Sequence, residues 1–302
     1  MSLVSTYAPL LMRCGQSAAA LRWDARSGAW RWLDPVSGML HSLAADGDSA
    51  RPLRLQEHAN LMAICASGRV LLGQGKRLGM AELPASAASA RPLQAQVLAT
   101  IDPAEPRTVM SDGASDRHGY FVFGSANIAA DRRPIGSFYQ YSQRYGLRRL
   151  ALPTVATACG IAFSRDGSQM YFSDATQGAI MRCNYDAERA RVGEVQLFAQ
   201  GGIGGGALLV DARDQVWSTQ GPALCQHDAG GAVRQMIVIG DQVLAGAAAG
   251  GMQLDQLLLI GADGGVFRVS SQVGGVDFAG LADTPFADAY SEVQPLRAGA
   301  VW

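Results

Sequence analysis

The 302-residue sequence predicts an all-β fold, a six-bladed β-propeller of four-stranded antiparallel blades spanning residues 1–302. Three observations lead there. Long amphipathic helical patterns are absent, and short apolar or alternating runs are broken by Gly, Asp, Ser and Pro. One strand–turn–strand unit recurs about six times, at the roughly 40–50-residue spacing of propeller blades. The turn inside that unit is Asp-x-x-Gly or a variant, in which Asp caps the turn and Gly takes the positive φ.

The copies run in order along the chain. They are Leu21–Asp34, Met62–Gly75, Gly113–Ala126, Ile161–Asp174, Leu208–Gly221 and Ala249–Ala262. A further strand follows each, such as Gly178–Asp186 or Gly264–Gln272. One blade cannot bury both of its faces, so blades must stack, and closing the ring removes most open edges. A β-sandwich of similar hairpins is the competing reading. The regularity and number of the copies favour the ring. The Ala/Ser-rich stretch Ala85–Ala90 reads as a surface loop rather than a linker. The aromatics Trp23, Trp32, Tyr171, Phe172 and Trp217 alternate within strands and read as inter-blade core.

Composition narrows the functions. Hydrophobic residues make up 48% and charged residues 17%, enough apolar content for a large core. A formal net charge of −1 gives no phosphate-tracking surface, so no nucleic-acid partner is expected. The five cysteines are odd in number, widely spaced and free of any C-x-x-C pair, which speaks against a disulfide framework or structural zinc. Neither a secretory leader nor an 18-residue apolar span is visible, so the expectation is a cytoplasmic protein without a membrane partner. Lys76 is the only lysine, and glutamates number six.

Three stretches carry a resemblance. Trp23–Asp34 reads WDARSGAWRWLD, Ser111–Ser125 reads SDGASDRHGYFVFGS, and Cys159–Asp186 opens CGIAFSRDGSQMYFSD. They resemble the W-D-x-x-S-G-x-x-x-W-x-D, N-D-G-x-x-D-x-x-G and N-G-L-x-x-S-x-D-G motifs of the senescence marker protein, gluconolactonase and luciferin-regenerating enzyme family. The resemblance implies a six-bladed propeller that hydrolyses sugar-acid lactones with one divalent metal, often calcium or zinc, at the mouth of the central channel. It also implies an oxygen-donor set of Glu, Asn and Asp for that metal.

Transferred onto this chain, the implied Glu falls on Ala19, the N-G-L Asn on Cys159 and the Asp on Gly206. The N-D-G Asn, a substrate contact, falls on Ser111, and a substrate-contacting Arg falls on Val109. Ala, Cys and Gly cannot build a hard-cation site, so no metal is expected at the family's usual position. Ala19, Ser111, Cys159, Gly206 and Val109 are then the expected pocket for a small sugar-acid or lactone ligand.

Other chemistry has fewer candidates. Asp112 is a possible base, against a wall role with its oxygens bonded to backbone. His58, in Glu57-His58-Ala59-Asn60, is its possible acid/base partner, against a plain polar residue at a blade entrance. Cys159 as a nucleophile would need a base or cation to lower its pKa. His41, His118 and His227 read as solvent-exposed turn or outer-strand residues. Gly15–Ala19 half-matches a nucleophile elbow without its strand–turn–helix setting. Gly202–Ala207 mimics a dinucleotide loop but precedes a strand, and reads as a bare rim of the channel.

Three readings follow. The first is a gluconolactonase-like propeller with a degenerate metal site that binds a small metabolite in its channel. The second is an active lactone or ester hydrolase with a shifted calcium or zinc site, or no metal, using Asp112 and His58. The third is a protein-interaction propeller.

Overall fold

The computed structural model describes residues 2–4, 14–84, 91–200, 206–271 and 276–289. The 85–90 stretch and the glycines at 202, 204 and 205 lie outside the described residues. Strand β1 (Ser2–Val4) comes first. Blade 1 follows with β2 (Ala19–Asp24), β3 (Ala29–Asp34), β4 (Met39–Ala44) and β5 (Arg51–Arg54). Blade 2 comprises β6 (Leu61–Ile64), β7 (Val70–Gln74), β8 (Arg77–Ala81) and β9 (Gln96–Thr100). Blade 3 comprises β10 (Thr108–Ser115), β11 (Phe121–Asn127), β12 (Phe138–Ser142) and β13 (Gly146–Arg149).

Blade 4 has β14 (Ala158–Phe163), β15 (Gln169–Asp174) and β16 (Ala179–Asp186). Both β17 (Arg191–Val192) and β18 (Gln196–Gln200) pair with β16. Blade 5 has β19 (Leu208–Val210), β20 (Val216–Gln220), β21 (Ala223–His227) and β22 (Val233–Val238). Its outer edge also carries β1, paired parallel to β22. Blade 6 holds β23 (Leu244–Gly250), β24 (Gln256–Gly261) and β25 (Val266–Ser270), three strands among the described residues.

The inner strands β2, β6, β10, β14, β19 and β23 neighbour one another in turn, and β23 returns to β2, so the six sheets close a ring. The predicted fold class is the observed one. No helix among the described residues is long and apolar enough to cross a membrane.

The repeated turns work as the sequence implies. Asp116 accepts from the His118 and Tyr120 amides at 2.9 Å each, and Gly119 takes φ +77°. Asp211 does the same for Arg213 and Gln215 and also accepts from Trp217 Nε1 at 3.0 Å. Each carboxylate thereby meets amides that the hairpin leaves unpaired.

The core is divided by blade seam. Leu33, Leu40, Met62 and Leu72 seal blades 1 and 2; Phe121, Phe123 and Phe286 seal blades 2 and 3. Phe138, Phe163 and Phe172 fill the seam of blades 3 and 4, and Tyr171, Ile180 and Val216 that of blades 4 and 5. Trp217 lies with Leu257 and Leu259 between blades 5 and 6, and Trp23, Trp30 and Trp32 lie with Ile260 between blades 6 and 1. All five aromatics read as inter-blade core fall in these clusters. Each large side chain so buried contributes about 1.5–3 kcal/mol.

A strap formed by residues 276–289 follows blade 6. Ala212 N donates to Ala279 O, and Gly280 N to Leu254 O, in the first turns of blades 5 and 6. Further on, Phe286 N donates to Ile64 O, and Ala287 N to Gly119 O, in blades 2 and 3. A segment touching first turns on opposite sides of a ring must cross its axis. The strap therefore covers one channel end. The starts of the inner strands, where the candidate residues lie, face the other.

Candidate functional site at the channel mouth

Four inner strands carry an extra residue near their start. The pairing shifts between Ala19 and Arg22 in β2, between Met110 and Gly113 in β10, between Cys159 and Ala162 in β14, and between Leu244 and Gly246 in β23. Such bulges re-aim side chains at barrel and channel rims. In β2 and β14 the bulges match in detail: Ala20 has φ +51° and Gly160 has φ +56° at the same step. Ala19-Ala20-Leu21 is therefore the geometric counterpart of Cys159-Gly160-Ile161. The two positions the motifs singled out occupy one place in two blades.

Ser111 and Asp112 are the bulged residues of β10. Ser111 Oγ donates to Ala158 O at 2.7 Å. Asp112 Oδ1 accepts from Gly113 N at 2.8 Å and Oδ2 from Gly160 N at 2.7 Å, so the carboxylate ties blade 3 to the bulge beside Cys159. Desolvation pushes its pKa up, against the pull of Arg22 and of the backbone amides of Gly113, Gly160 and Ile161. Cys159 is buried, with Sγ 3.2 Å from Ser173 Oγ. Burial pushes its thiol up to about 12, with Asp112 and Asp174 adding to the rise and the Ser173 hydroxyl opposing it. The thiol is thus protonated near neutrality, which is the opposite of an activated nucleophile.

Gly206 N donates to Thr219 Oγ1 at 3.1 Å, and a Cβ added there would meet only Ala245 O, at 3.4 Å. Val109 pairs with Ala126, one step before the β10 bulge. His58 is exposed and stands elsewhere: its Nδ1 lies 2.6 Å from Pro35 O, at the turn between β3 and β4. Glu57 beside it is exposed and paired with Arg77. His58 and Asp112 share no hydrogen bond or ion pair among the described residues.

Two residues at the axis were not singled out from sequence. Arg22 donates to Leu21 O at 2.8 Å and reaches from blade 1 to Gly113 O on blade 3, a path that runs through the channel. Asn60 Nδ2 donates to Met110 O at 3.4 Å from blade 2. In sequence, Arg22 is an unremarked x inside an alternating strand, so no local signal marks it. Two histidine expectations need correction. His118 is exposed, but His227 is fully buried and His41 nearly so, because inward strand positions put them against Phe198 and Trp32.

Comparison with known proteins agrees with this architecture. The family described as the SMP-30/Gluconolactonase/LRE-like region matches residues 18–262. The L-arabinolactonase of Azospirillum brasilense is 30% identical over 285 residues, covering 92% of this chain and 88% of that protein. The chain belongs to the SMP-30/gluconolactonase/LRE-like family. Among solved structures, a luciferin-regenerating enzyme superposes with TM-score 0.82 at 18% identity, covering 91% of this chain and 97% of its own. A calcium-binding regucalcin from Agrobacterium tumefaciens superposes with TM-score 0.80 at 19% identity, covering 95% and 99%. Within this gluconolactonase-like propeller, no three of His, Cys, Asp and Glu come together in a metal-holding group among the described residues.

Proposed function

We propose that this chain is a gluconolactonase-like propeller that binds a small sugar-acid, lactone or related metabolite at its channel mouth without the family's metal. The equivalence of the two bulges carries this reading. It supports the placement of Ala19 and Cys159 at ligand positions, where a methyl group and a protonated thiol stand in for oxygen donors. Gly206 supplies no side chain. These residues do not fit a hard cation, and Asn60 and Ser111 leave a polar mouth suited to hydroxyls. The five cysteines, all unpaired, support placement in the reducing cytoplasm.

Thermal melting with calcium and with zinc tests the reading. The wild-type chain is expected to show no metal-dependent rise in Tm. The triple variant Ala19→Glu, Cys159→Asn, Gly206→Asp is expected to gain one, about 2.7 kcal/mol at a hundredfold excess over Kd. A stoichiometric metal in the purified wild-type protein would sink the reading.

A second reading, an active lactone hydrolase, is favoured by the 30% identity to an L-arabinolactonase. Asp112 would then act as base, helped by its raised pKa, with His58 at the rim. A pH-indicator screen of aldonolactones, with and without metal, decides it. Turnover lost in Asp112→Asn would establish the hydrolase, and no turnover by the wild type would remove it.

A further inference from the structure

A groove on the outer flank of blade 1 holds chemistry that the channel does not use. Arg31 of β3, Ser42 of β4 and Arg51 of β5 stand opposite one another in the sheet register, so their side chains share one face of the blade. Leu33, Leu40 and Leu53 stand two residues along on the same face and pack against blade 2. That face therefore looks toward blade 2. On the strap side the two blades part and leave a groove of about 600 Å³, with Leu83 and Pro84 of blade 2 along its other side. The volume suits a small organic molecule. Arg51 is exposed and Arg31 and Ser42 are half-buried, so the groove is open to solvent where these groups stand.

The row is rich in unused donors. Arg31 Nε donates to Asp24 Oδ2 at 3.0 Å, one terminal nitrogen donates to Ser42 Oγ at 2.8 Å, and the other to Ser27 Oγ at 3.1 Å. Each terminal nitrogen keeps a second N–H. Burial would raise the Asp24 carboxyl, but bonds from Ser27 and Arg31 outweigh it and hold the pKa below its ordinary value. Asp24 is therefore ionised and balances the Arg31 charge. Ser42 accepts from Arg31, and its own hydroxyl hydrogen pairs with none of the described residues. Arg51 likewise makes no hydrogen bond or ion pair with a described residue. Fastening the turn of blade 1 explains Arg31, but it does not explain an open hydroxyl and an open guanidinium side by side.

We propose that this groove binds a monocarboxylate with an apolar body. The carboxylate accepts from the Ser42 hydroxyl and from the Arg51 guanidinium, two charge-assisted bonds. The body lies against Leu53, Leu83 and Pro84. Asp48, exposed on the groove wall, adds negative charge there and disfavours a second anionic group on the ligand. The site is separate from the channel mouth and does not rest on the reading given for it.

Isothermal titration of the full chain with 3-phenylpropionate tests the proposal. Saturable binding is expected, lost with the uncharged 3-phenylpropanamide and weaker with the dianion benzylmalonate. Arg51→Ala should weaken binding about tenfold, the loss of one charged hydrogen-bond partner. Ala44→Phe should abolish it by filling the groove, which Ala44 lines. Both positions are exposed, so both variants should keep the wild-type Tm. The absence of saturable binding by the wild type would overturn the proposal, as would equal affinity for the acid and its amide. Undiminished binding in either folded variant would overturn it too, because the acid would then sit elsewhere. None of these outcomes bears on the metal-restoration experiment.

Discussion

Asp34 illustrates how much one side chain carries here. It is fully buried at the end of β3 and accepts from Gln16 N and Ser17 Oγ at 2.8 Å each, from Val36 N at 3.0 Å and from Ser37 N at 3.1 Å. Burial alone would raise its pKa. The bonds from Ser37, Gln16 and Ser17 outweigh it and hold the carboxyl well below the usual range. A depressed folded-state pKa means stability that is fully present above about pH 4, the unfolded value, and lost as pH falls toward the folded one. The wild-type Tm should therefore drop below about pH 4, and Asp34→Asn should flatten that drop while costing about 2–3 kcal/mol at pH 7. Thermal melts across pH check both. At Cys159 the raised thiol predicts resistance to iodoacetamide at pH 8 in the native protein. Half-buried Cys14 should react first, and alkylation of Cys159 ahead of Cys14 would contradict the assignment. At this scale the sequence was legible where a motif marks a residue, as at Ser111 and Asp112. It was silent at His227, whose burial depends on which face of β21 meets blade 4.

The strap is an element without sequence periodicity. Blade 2 lacks an Asp in its first turn, and Asp288 of the strap supplies one. Ser67 N donates to Asp288 Oδ1 at 3.1 Å, and Arg69 Nε to Oδ2 at 2.8 Å. Phe286 is fully buried and stacks on Tyr141 with ring centroids 6.0 Å apart. Phe286→Ala should cost about 3–5 kcal/mol through the cavity it leaves. Asp288→Ala should cost about 3 kcal/mol, because the Ser67 amide and Arg69 lose a charged partner. Hydrogen exchange should then show residues 276–289 opening before the blades do. Equal protection of strap and blades in both variants would refute this picture.

The ring joins six seams, each with its own core cluster and each shared by two blades. Damage at one seam is thus felt by the closed whole. Leu259→Ala, at the seam of blades 5 and 6, should cost about 2–5 kcal/mol. Far-UV circular dichroism and tryptophan fluorescence should still report one coincident transition, since Trp23, Trp30 and Trp32 sit in blade 1 and Trp217 in blade 5. Separate transitions would mean that the blades unfold independently.

The fold was legible because local rules repeat. Period-two apolar patterning makes strands, Asp and Gly make the turns, and a 40–50-residue repeat makes stacked blades. The channel-mouth candidates did not come from the repeat. Ala19, Ser111, Cys159 and Gly206 were reached by matching three stretches of the chain to motifs of the family it resembles. Contacts between residues far apart in the chain decided the rest. Arg22 meets Gly113, Asp112 meets Gly160, Asp288 meets Ser67, and His227 is closed in by blade 4. None of these follows from local patterning, because each is set by how neighbouring or opposite blades are brought around the axis. Ring closure places side chains tens of residues apart within hydrogen-bonding distance.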